Sequence, residues 1–97
     1  MAGDWIKMRK SLFTDPRIVR IMSALQADRF QTVGGVLSAW CLFDDHTEDG
    51  QLKNYTPEIF DSMIGLPGLC RAMMAVGWIE EDAQGLTAIN FTEHNGK

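Results

Sequence analysis

The chain has 97 residues, 45% of them hydrophobic and 23% charged, which fits one soluble globular domain, leaves no room for a second core and excludes wholesale disorder. Thirteen acids against nine Lys and Arg give a formal charge of −4, which argues against a chain that merely coats nucleic acid or an anionic membrane. That average hides a split: residues 1–30 hold six cations against three acids, a net +3, and residues 31–97 hold three against ten, a net −7.

In chain order, Trp5-Ile6-Lys7-Met8 reads as a short strand. Thr14-Asp15-Pro16 supplies a cap with proline at the first helical turn, and Ile18, Ile21, Met22 and Leu25 follow at helical spacing. The opposite face of that first helix carries Arg17 and Arg20. Val33, Val36, Leu37, Trp40 and Cys41 predict a second helix, in which Gly34-Gly35 costs about 1 kcal/mol per glycine unless another element approaches closely there. Asp49-Gly50 turns the chain, and Gln51-Leu52 is a short extended piece.

Thr56-Pro57-Glu58 starts a third helix whose apolar face is Ile59, Phe60, Met63 and Ile64. Gly65-Leu66-Pro67-Gly68 breaks it, and residues 69–76 form a fourth, closed by Gly77. Trp78–Glu81 and Leu86–Phe91, joined by a four-residue loop, read as a β-hairpin. Two short helices across a tight turn, followed at once by a hairpin, predict an α+β, mainly α, winged helix-turn-helix in a single domain over residues 1–97.

Cys41 and Cys70 have no C-x-x-C spacing and lie among apolar neighbours, so both are expected as buried free thiols. No apolar run approaches membrane-spanning length and residues 1–10 are not signal-like, so a cytoplasmic protein with no membrane partner is the default. Trp40 and Phe60 belong to the core by spacing, whereas Trp5 and Trp78 lie on strands with one face open. Trp5 with its strand offers an edge for pairing with a second copy, a homodimer by strand addition.

Catalytic signals are absent. Two histidines and no nucleophile motif point away from an enzyme. Aligned as a calcium loop, residues 45–56 put Thr56 where a bidentate glutamate is required, and His94 has no partner at zinc-ligand spacing, so no metal or other cofactor is expected. Asp44 and Asp45 stand at the unfavourable end of the second helix's dipole, which reads either as a solvated helix end or as an acidic patch facing a partner.

A helix-turn-helix raises DNA binding through its second helix, with the wing on the backbone. Here that helix offers Arg71 as its lone cation, and the wing carries Glu80, Glu81 and Asp82, which repel phosphates. The electrostatic candidate is the N-terminal end, Lys7, Arg9, Lys10, Arg17 and Arg20, with Arg71 secondary; alternatively, Arg17 and Arg20 only solvate their helix.

Trp5-Ile6-Lys7-Met8 and Phe13-Thr14-Asp15-Pro16-Arg17-Ile18 resemble the opening of phage replisome-organiser N-terminal domains and of DnaD-like primosomal proteins. Asp49-Gly50-x-Leu52, Tyr55-Thr56-Pro57-Glu58, Gly77-Trp78-Ile79-Glu80 and Ile89-x-Phe91-x-Glu93-His94-Asn95 continue the likeness in the same order, over nearly the whole chain. The resemblance implies a non-enzymatic winged helix in phage or prophage replication initiation, working through self-association, DNA contact and recruitment of a helicase loader. It also implies that these residues are the first domain of a longer replication protein, or a protein reduced to that domain. The competing expectations are a protein-interaction or dimerisation module without DNA binding, and a small transcriptional regulator.

Overall fold

The computed structural model describes residue 6 and residues 8–89. The fold is α+β, mainly helical, a winged helix-turn-helix preceded by an extra helical segment. A 3-10 helix, Lys10–Thr14, leads into α1, Pro16–Leu25. Asp15 caps α1 by accepting the Arg17 N–H at 2.8 Å, and Pro16 occupies the first helical position, as the sequence implies. Ile18 and Ile21 are fully buried, with Met22 and Leu25 packed against the core beside them.

The central helix α2, Arg29–His46, begins four residues before the apolar spacing does, because Asp28 caps it through the Gln31 N–H at 2.7 Å. Nine of its residues are buried, Val33, Val36, Trp40 and Phe43 among them, so α2 is the element around which the others pack. Its two glycines have different reasons. A Cβ on Gly35 would stand 2.8 Å from Leu66 Cδ2 and 3.4 Å from Leu69 Cδ2, so this glycine admits the turn between the next two helices. A Cβ on Gly34 would meet nothing within 4 Å.

Beyond α2, β1 (Gln51–Lys53) enters the sheet, and α3 (Pro57–Ile64) is capped by Thr56 and closed by Gly65 in the left-handed region at φ 89°. The predicted apolar face of α3 is only half right: Phe60 is fully buried, while Ile59 is 47% and Met63 56% exposed. The short helix α4 follows at Leu69–Ala75. Asp61 holds the turn between α3 and α4, its two carboxylate oxygens accepting the Gly68 and Cys70 N–H groups at 2.8 Å each. Gly68 itself needs φ 87°, which favours glycine, and leaves only 3.0 Å between a built Cβ and Leu25 Cδ2.

Strands β2 (Ile79–Asp82) and β3 (Gly85–Ala88) form the wing, and β1 pairs antiparallel with β3 in the order β1-β3-β2, with Leu52 opposite Leu86 and Ile79 opposite Ala88. The connection is tighter than the four residues expected. Asp82 Oδ1 accepts the Gln84 and Gly85 N–H groups, so Ala83-Gln84 alone makes the turn and β3 starts at Gly85. Of the expected strand at 5–8, residues 5 and 7 fall outside the described residues; Ile6 and Met8, which are described, lie in no strand.

Trp40 and Trp78 meet edge to face at 5.6 Å in the core, and Phe43 packs on Phe60 at 5.8 Å. Trp78 therefore differs from its expected half-open strand position: it precedes β2 and is buried.

Candidate nucleic-acid interface

In a winged helix, the solvent side of α4 and the wing are the surfaces that meet a duplex. On α4, Leu69, Cys70, Ala72 and Met73 are buried and Met74 is half-buried, which leaves Arg71 and Ala75 as its exposed residues. The helix is enclosed because α1 packs along it, from Leu25 beside Gly68 at one end to Arg17 near Trp78 at the other. Arg71 is engaged: its Nη2 donates to Glu58 Oε2 at 2.9 Å. That hydrogen bond holds the Glu58 carboxyl below its ordinary range. The wing exposes Glu80, Glu81 and Asp82, so the usual reading face carries one partnered cation against a run of acids.

The basic end is built differently. Arg17 forks onto Asp15, Nε to Oδ1 at 3.0 Å and Nη2 to Oδ2 at 2.8 Å, with its guanidinium carbon 4.7 Å from the centre of the Trp78 ring. The hydrogen bond from Arg17 keeps the Asp15 carboxyl below the usual carboxylate range, burial working against it. Arg17 is thus fixed in place by its ion pair with Asp15, not simply solvated. Lys10 and Arg20 are exposed and have no ion-pair partner among the described residues. Arg9 is exposed beside Lys10. Arg29, at the start of α2, spends a guanidinium N–H on the Phe13 carbonyl and ties the 3-10 helix to α2.

Lys7 and Trp5 lie outside the described residues. Lys10 lies in the 3-10 helix with Arg9 capping it, Arg17 and Arg20 lie on the following α1, and Arg71 on α4 is paired with Glu58. It corrects the acidic-patch expectation. Asp44 is 3% exposed, buried in the packed side of α2, and its Oδ1 has no hydrogen-bond partner among the described residues. Only Asp45, one position on, faces outward.

Cys41 is likewise exposed where a buried thiol is expected. Its remaining burial, then the charges of Asp45 and Asp44, push the thiol up. Burial, with Asp61 and Glu81, pushes Cys70 up to about 12. Both thiols are therefore protonated and poor nucleophiles at neutral pH. Among the described residues no three His, Cys, Asp or Glu side chains are grouped to hold a metal ion, and no helix is long and apolar enough to cross a membrane.

Two residues that shape this region carry no local signal in the sequence. Asp61 was readable only as a helix surface acid, since its partners lie seven and nine residues on. Phe30, 79% exposed at the first turn of α2, lies ahead of the apolar spacing that predicts the helix. No protein-family model, curated protein or solved structure matches this chain.

Proposed function

We propose that this chain is a non-enzymatic winged-helix domain of a phage or prophage-type DNA replication initiator, which contacts DNA phosphates through its N-terminal basic face and takes part in replisome assembly. The replication context rests on the resemblance of residues 5–18, 49–58 and 77–95 to replisome-organiser and DnaD-like domains, with a helicase loader as the protein partner that resemblance implies.

One observation carries the choice of surface. The exposed side of α4 offers a single cation already bound to Glu58, whereas Lys10 and Arg20 stand exposed with no ion-pair partner among the described residues. Such a face suits phosphate contact, which positions a protein on a duplex without reading its bases. This also disfavours a sequence-specific transcriptional regulator, because α4 exposes no side chain other than Arg71 able to recognise a base edge.

Binding to a fluorescently labelled duplex at low salt tests the proposal. Arg20→Ala and Lys10→Ala should each weaken it and Arg71→Ala should not. A chain that binds no duplex even at low salt overturns it. The second reading, a protein-interaction module without DNA contact, would then hold. It is favoured by Ile59 and Met63, exposed one turn apart on α3.

A further inference from the structure

The outer face of α2 has features that the monomer does not explain. At about 100° per residue, Phe30, Gly34, Cys41 and Asp45 fall within about 60° of one another on the helix, and all four are exposed. Phe30 is the most exposed large apolar side chain among the described residues, yet it is braced, with the Phe13 ring edge-on at 6.2 Å. Gly34 sits inside the helix at a cost of about 1 kcal/mol and makes room for nothing among the described residues. Eleven residues beyond Phe30, about 16 Å along the axis, a groove of about 370 Å³ opens between α2 and α3. Leu37, Cys41 and Leu42 line one wall and Met63 and Ile64 the other, with Asp45 at the rim. The groove is open on its solvent side, and its walls mix apolar side chains with Ser38, Cys41 and Asp45.

We infer that α2 is the contact helix of a two-fold dimer, in which a second copy lies antiparallel across Gly34 and each copy's Phe30 enters the other's groove. The placement is self-complementary, as a two-fold interface requires: Phe30 reaches the level of Cys41 in the other copy, and Cys41 the level of Phe30. The crossing then falls near Gly34 and Leu37, where the absent side chain lets the helices approach. Charges agree with this arrangement. Lys10 shares a side of the 3-10 helix with Phe13, three residues on. Arg9, Lys10 and Arg29, against Asp15 and Asp28, leave the Phe30 end net positive, and among the described residues no cation lines the groove, where Asp45 stands. Antiparallel packing sets the positive end of each copy on the acidic end of the other and opposes the two helix dipoles. Interface energy concentrates where an aromatic side chain is desolvated in a groove of the partner. This surface differs from the strand edge at Trp5; it shares Arg9 and Lys10 with the proposed phosphate-contacting face, so its test is made without DNA.

Sedimentation of the whole chain over a range of concentrations should show a monomer–dimer equilibrium that weakens with salt. Phe30→Ala should weaken the dimer about tenfold or more. Gly34→Gln should do the same while raising the unfolding midpoint of the isolated monomer, opposite effects that a misfolded variant cannot produce. Mild oxidation of Phe30→Cys should join the introduced thiol to Cys41 of a second copy, whereas the unsubstituted chain should not link Cys41 to Cys41. A chain that stays monomeric into the hundreds of micromolar overturns the inference, as does a dimer indifferent to both Phe30→Ala and Gly34→Gln. Linkage of Cys41 to Cys41 in the unsubstituted chain overturns the antiparallel register.

Discussion

Replacing Asp61 with alanine removes the side chain that holds the turn between α3 and α4. Both carboxylate oxygens accept backbone N–H groups at 2.8 Å; the bond from Gly68 is exposed and that from Cys70 is partly buried. A hydrogen bond to a charged group contributes about 1.5–3 kcal/mol net, and water recovers part of the exposed one, so the loss should be about 2–3 kcal/mol. Each kcal/mol moves the melting temperature of a domain this size by about 4–8 °C, so Asp61→Ala should melt about 10 °C or more below the parent. Asp61→Asn keeps one acceptor oxygen and should lose about half as much. Urea unfolding followed by circular dichroism gives the free energy, and amide exchange at Cys70 locates it. Stability within about 0.5 kcal/mol of the parent, or unchanged exchange at Cys70, would refute the assignment of Asp61 as the clamp of the turn.

Gly34→Ala should stabilise the monomer by about 0.5–1 kcal/mol, because helix propensity rises and the site is open, whereas Gly35→Ala presses on Leu66 and should be neutral or destabilising; urea midpoints of the pair at dilution check the difference. Asp15 is held below its unfolded value near 3.8 by Arg17, so its contribution is present above that value and fades as pH falls through the lower folded value. Asp15→Asn should therefore flatten the acid limb of a stability–pH curve measured below about pH 4, whatever it costs at neutral pH. Asp44→Asn removes a buried charge from the unfavourable end of α2 and should raise stability by about 0.3–1 kcal/mol; a loss of more than about 1 kcal/mol would mean that the carboxylate has a partner.

How far the residues foretell the structure depends on how local the physics is. The start of α1 was legible because Asp15, Pro16 and the Ile18–Leu25 spacing all act within one or two turns. So was the wing, although its turn proved two residues long because Asp82 bonds to the N–H groups just ahead of it. Burial was less legible. Ile59 and Phe60 are neighbours of equal hydrophobicity, but only the position of α2 decides that Phe60 is covered and Ile59 is not. Asp44 and Asp45 look alike in sequence, yet one helical step takes the first into the packed side and leaves the second in solvent. The basic end was visible as charge alone. That Arg71 is paired with Glu58, thirteen residues away, while Arg20 is free of ion pairs among the described residues, is tertiary information.

The dependence of duplex affinity on salt tests the choice of surface most directly. Each phosphate neutralised contributes about −0.9 to the slope of log affinity against log salt, so engagement of Lys10 and Arg20, which have no ion-pair partner among the described residues, predicts a slope of about −2. Arg20→Ala should flatten that slope by about 0.9, and Arg71→Ala should leave it unchanged. A slope that flattens with Arg71→Ala and not with Arg20→Ala would place the DNA on α4 and contradict the account.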